Sequence, residues 1–158
     1  MEKEFSRRSF LKMGTTAAAA MAVSPSLLMG KEKKGKKAAP QPLDRKLKIL
    51  GVGIGGRGAS VLKGLETEEI IGLCDVDWKY AAHIFERYPN AKRYNDYRVM
   101  FKELLDEADA VMVATADHTH AIIAAEAIAA GKHAYVEKPL THTVYESRLL
   151  TKLAAKHK

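Results

Sequence analysis

Cysteine is almost missing from this chain, with Cys74 the single one among 158 residues. One thiol excludes an internal disulfide framework and any multi-cysteine metal site, and no metal site is expected. Cys74 ends the apolar run Ile70-Ile71-Gly72-Leu73-Cys74, so it reads as a small buried hydrophobe rather than a reactive thiol. Long hydrophobic runs are missing too: residues 13–23 are too few and too alanine-rich to span a bilayer. A basic excess in the globular part is the third absence. The formal charge of +7 is carried entirely by residues 1–46, with 11 Lys/Arg against 4 Asp/Glu, while residues 47–158 hold 15 of each. Without that excess nothing supports phosphate-backbone binding, and nucleic acid is not expected as a partner.

What is present fits a soluble protein, 47% apolar and 28% charged, of a length that admits one domain plus appendages. Its N-terminus reads Ser6-Arg7-Arg8-Ser9-Phe10-Leu11-Lys12 ahead of a weakly apolar stretch, with Ala20-Met21-Ala22 as a small-x-small cleavage site. The pattern resembles a twin-arginine export signal at every preferred position. That resemblance implies a signal peptide over residues 1–30 and the twin-arginine machinery as a partner. The protein would reach the periplasm, or another extracytoplasmic space, already folded and with no stable membrane span after processing. Residues 31–46 are charged, proline-containing and non-periodic, so a disordered linker is expected there.

From Leu47 short apolar runs alternate with helical patterns, which predicts an α/β fold with a parallel sheet. Strands are expected at 47–52, 69–74, 92–94, 110–114 and 133–136. Helices are expected at 58–65, 78–88, 97–105, 119–130 and 144–156, with Asp96 as an N-cap and Gly131 as a C-terminal stop. The run Ala110-Val111-Met112-Val113-Ala114 is fully apolar, as in a strand covered on both faces. No internal repeat is visible. Five parallel strands match a Rossmann-type doubly wound sheet, which usually closes with one more, so the chain is expected to be a truncated product or fragment.

The glycine loop between the first strand and its helix satisfies Gly-x-Gly-x-x-Gly in two frames, Gly51/Gly53/Gly56 and Gly53/Gly55/Gly58. Three features of context strengthen the match: the loop follows an apolar strand, it opens a helix, and Asp75 ends the second strand 20 residues beyond Gly55. The second frame suits Asp75 better and is preferred. Glycines there allow a tight turn, let backbone N–H groups approach a diphosphate, and let helix and strand pack closely, while the helix dipole favours the anion. Asp75 would accept from adenosine ribose hydroxyls and repel a 2′-phosphate, favouring NAD over NADP. Arg57 would weaken that preference if it reached a phosphate. Trp78 has two readings, packing on its own helix or lying against adenine.

Thr115-Ala116-Asp117-His118-Thr119-His120 and Glu137-Lys138-Pro139 each follow a strand directly, on the edge where open α/β sheets bind ligands. His83, His133 and His157 read as surface or capping residues.

With Gly53-Ile54-Gly55-Gly56-Arg57-Gly58, Cys74-Asp75-Val76-Asp77, Asp117-His118-Thr119-His120, Ala130-Gly131-Lys132-His133 and Glu137-Lys138-Pro139-Leu140, the sequence resembles the Gfo/Idh/MocA oxidoreductases over residues 47–158. The resemblance implies a Rossmann domain followed by an α/β substrate domain. It also implies hydride transfer between NAD(P) and a sugar, cyclitol or related polyol, in a protein that forms homo-oligomers when complete. It makes Lys138 the catalytic cation, set by a cis bond before Pro139, and places a catalytic histidine in the second domain. The cofactor-binding set it implies is Gly53, Ile54, Gly55, Gly56, Arg57, Gly58, Asp75, Thr115, Asp117, His120, Glu137 and Lys138. Ala116 departs from the pattern, since the family usually has proline there. Export to a compartment without a free NAD pool implies that the cofactor is tightly bound before export. Three functions follow: a carbohydrate oxidoreductase, an NAD-dependent glycosidase, or, for this chain alone, dinucleotide binding without catalysis.

Overall fold

The computed structural model of the protein describes residues 44–157. The signal peptide expected at 1–30, with its cleavage site, lies outside the described residues, as does the linker up to residue 43.

Five strands form one parallel sheet: β1 (Lys48–Val52), β2 (Glu69–Cys74), β3 (Lys92–Tyr94), β4 (Ala110–Val113) and β5 (His133–Val136), in the order β3-β2-β1-β4-β5. This is the doubly wound order, whose direction of winding reverses beside β1. Five α-helices connect and cover it: α1 (Gly56–Lys63), α2 (Ala82–Arg87), α3 (Tyr97–Leu104), α4 (His120–Ala129) and α5 (Val144–Lys156). Short 3-10 turns occupy Leu105–Glu107 and Asp117–Thr119.

Alternation along each strand divides the core in two. Leu50, Val52, Val111 and Val113 face Met100, Phe101, Leu104 and Ile123 of α3 and α4. Ile49, Leu73 and Met112 face Leu62, Ile84 and Phe85 of α1 and α2. Covering on both faces is why β4 reads as an unbroken apolar run. β5, at the sheet edge, alternates exposed and half-buried residues instead.

The register brings all five strand ends level with their neighbours. Val52 lies opposite both Cys74 and Val113, Cys74 opposite Tyr94, and Val113 opposite Val136. One further bond extends each pairing: Gly53 N–H donates to Cys74 O, Asp75 N–H to Tyr94 O, Ala114 N–H to Val52 O and Glu137 N–H to Val113 O. The first residues past the strands therefore share one edge of the sheet.

The α2 segment differs from expectation. Its helix spans only Ala82–Arg87, not 78–88; residues 78–81 form a turn in which the Asp77 carboxylate accepts from Tyr80 N–H at 3.0 Å. Helix α1 begins two residues earlier than expected, at Gly56. Ordered contacts already begin at Arg45, whose guanidinium donates to both carboxylate oxygens of Asp109 at 2.6 and 2.7 Å.

Candidate dinucleotide site

Beyond the carboxyl ends of β1, β2 and β4 lies a cleft of about 1130 Å³. Its floor is the glycine loop. Gly53 has φ +75° and Gly56 φ +42°, backbone values that favour glycine. A Cβ at Gly53 would come within 2.7 Å of the Ala114–Thr115 backbone, and one at Gly58 within 1.9 Å of Gly53 O. Gly53 and Gly58 therefore let β1, β4 and α1 approach one another. Gly55 caps α1 without a side-chain acceptor, and the first turn holds no acidic residue. By contrast α3 is capped by Asp96 and α5 by a Thr143–Glu146 capping box. The open N–H groups of the first turn of α1, at its positive end, fit an anionic diphosphate.

Asp75 does more than end β2. Its Oδ2 accepts from Gly55 N–H at 2.9 Å and its Oδ1 from Asp77 N–H at 3.0 Å, so one carboxylate fixes the loop and the turn beside it. It keeps lone pairs for further donors. Around it the cleft is walled by Val76, Val99 and Ile122, all exposed apolar side chains. Arg98 and Asp96 line the same end but pair with each other, and Arg98 holds the Asp96 carboxyl below its usual range.

The sequence-derived set is only partly brought together. Gly53, Gly55, Gly56, Arg57, Asp75 and Thr115 line the cleft. Ile54 and Gly58 are buried beneath it. Asp117 is exposed in the 3-10 turn. His120 is 1% exposed, with Nδ1 2.7 Å from Pro139 O and Nε2 3.0 Å from Thr115 O, so it ties two loops together from below. Glu137 is buried, and its Oε1 accepts from Arg57 Nε at 3.1 Å and Tyr135 O–H at 3.2 Å. Burial pushes that carboxyl up, but the bonds from Arg57 and Tyr135 and the Arg57 charge outweigh it and leave it lowered. Lys138 follows, exposed, with a cis bond to Pro139. Its chain is thus anchored on one side to the glycine loop through Glu137 and on the other to the Thr115 loop through His120.

Of the two readings of Trp78 the structure takes helix packing, and the cleft has an aromatic residue that the sequence reading did not single out. Trp78 packs on Phe85, ring centroids 5.5 Å apart, and does not line the cleft. Tyr80 does, lying against Gly55 and Gly56. Only the Asp75-x-Asp77 pair, able to fold back on Tyr80 N–H, hinted at it. Cys74 is buried, and burial together with the Asp75 charge pushes its thiol up to about 12, which makes it unreactive.

A parallel sheet with a glycine turn at the reversal, an uncapped helix and a carboxylate on the next strand defines a dinucleotide-binding domain. The chain belongs to the oxidoreductase family with an NAD-binding Rossmann fold, whose model matches residues 45–158, and a twin-arginine translocation signal model matches residues 4–24. It is similar to a glycosyl hydrolase family 109 protein of Shewanella pealeana, at 30% identity over 90% of this chain and 35% of that protein. It is equally similar, at 30% identity, to an alpha-N-acetylgalactosaminidase of Shewanella oneidensis, over 89% of this chain and 35% of the relative. Among solved structures, GenD2 from gentamicin A biosynthesis in complex with NAD matches at 29% identity and TM-score 0.61, over 76% of this chain and 35% of that one. KijD10, a 3-ketoreductase from Actinomadura kijaniata in complex with NADP, matches at 25% and TM-score 0.62, over 72% and 36%. The chain spans about a third of the length of the relatives it matches. Among the described residues no helix is long and apolar enough to cross a membrane.

Proposed function

We propose that the protein is the NAD-binding part of an exported oxidoreductase that moves hydride between NAD and a sugar, cyclitol or related polyol. The carrying observation is the pairing of open α1 N–H groups with Asp75 on the next strand, at one end of the cleft. Gly56 and Arg57 would hold the diphosphate and Asp75 the adenosine ribose, with Thr115 on the opposite wall. NAD, when bound, supplies the hydride acceptor. Lys138, anchored through Glu137 and Pro139, would meet the substrate hydroxyl and lower the cost of alkoxide character as hydride leaves its carbon. Titration with NADH, followed by its fluorescence, tests the reading. Binding that Asp75→Ala weakens about tenfold or more supports it, and absence of saturable binding overturns it.

The twin-arginine signal supports delivery to the periplasm with NAD already seated. Protein recovered from that compartment should then retain NAD through dialysis, and loss of NAD on dialysis would sink this part of the proposal. A second reading is favoured by the relatives named as glycosyl hydrolases. Oxidation of a substrate hydroxyl, elimination of the glycosidic group, addition of water and return of the same hydride would cleave a glycoside with no net change in NAD. Glycoside cleavage without accumulation of NADH distinguishes it from simple oxidation.

A further inference from the structure

Gly55 has φ −70° and ψ −179°, extended backbone that any residue adopts, so its conformation does not demand glycine. What crowds it is Tyr80, whose ring would have to move to admit a side chain. A Cβ there would lie 2.5 Å from Tyr80 Cδ1 and 2.6 Å from Cε1, and a Cβ at Gly56 would lie 3.1 Å from the Tyr80 hydroxyl. The ring is 60% exposed, so little of its surface goes into the core. It rests instead on bare glycine backbone at the positive end of α1, on the wall of the cleft. Its backbone is fixed from the same carboxylate that fixes the loop. Asp75 accepts from Gly55 N–H and Asp77 N–H, and Asp77 in turn accepts from Tyr80 N–H.

We propose that Tyr80 is a diphosphate-contacting residue that retains the dinucleotide. Its hydroxyl donates to a diphosphate oxygen above Gly56, and its ring, packed on Gly55, walls one side of the diphosphate. The inference rests on the dinucleotide reading and adds to it a residue outside the glycine motif. A phenol donor beside backbone N–H groups strengthens an anion site without adding charge, and a ring beside the phosphates keeps water from one side of them. Such retention suits a protein exported with its cofactor.

The test uses the full chain, with NADH as probe and adenosine, which lacks the phosphates, as competitor. Tyr80→Phe should weaken NADH about five- to tenfold, mainly through faster release, and leave adenosine affinity unchanged. Tyr80→Ala should release NADH faster still. Asp75→Ala should weaken both probes. If Tyr80→Phe and Tyr80→Ala bind NADH as well as the parent or better, Tyr80 does not clasp the diphosphate and the proposal is overturned, while the dinucleotide reading stands on Asp75. If the parent chain itself does not bind NADH, both fall together.

Discussion

Asp75 carries two duties that one substitution can separate. As an anion beside the proposed ribose site it would disfavour a 2′-phosphate, and as an acceptor it holds Gly55 N–H. Asp75→Asn removes the charge but keeps only one of the two acceptor oxygens, so it should raise NADPH affinity relative to NADH by about tenfold while costing about 1–2 kcal/mol of stability. Competition between the two nucleotides measures the ratio, and an unchanged ratio would contradict the assignment. Gly58 packs its bare Cα against the loop. Gly58→Ala would drive a methyl into Gly53 O, and about 2–3 kcal/mol of stability should be lost, read from the urea midpoint. The sequence offered the acid and the glycines as one motif. It did not divide them, because the difference between a glycine that faces a ligand and one that faces a strand is which atom lies 2–3 Å beyond it.

At the level of elements, helix boundaries follow their caps. Asp96 N-caps α3 as the sequence predicts, with its carboxylate accepting from Arg98 N–H. Helix α5 begins at the expected residue because Thr143 Oγ1 accepts from Glu146 N–H while Glu146 accepts in return from Thr143 N–H. Thr143→Ala should cost about 1 kcal/mol, measured by urea denaturation. The helix expected at 78–88 starts at Ala82 instead, after a turn over 78–81 in which Asp77 accepts from Tyr80 N–H, and apolar spacing alone does not register that turn.

At the scale of the whole domain, Asp109 ties the entry of the chain to the start of β4. The Arg45 side chain, followed by Lys48 N–H, holds its carboxyl well below the usual carboxylate range. A carboxyl depressed on folding stabilises above its unfolded value and loses that contribution as pH falls through its folded one. Asp109→Asn should therefore lower the urea midpoint near neutral pH, and the gap from the parent should close progressively below about pH 4. A gap that stays constant with pH would show that the charge plays no part.

Periodicity and punctuation in the sequence determined the order of strands and helices, the buried β4, the glycine turn and its acid, since each depends on neighbours within a few residues or on a fixed spacing. Only the tertiary structure decided that the strand ends align at one edge, that His120 lies beneath the site rather than in it, that Glu137 is held by Arg57, and that Tyr80 rests on Gly55. Those facts join residues 19 to 80 positions apart. Which face such a side chain takes is set by packing after the elements have formed, and no local pattern encodes it.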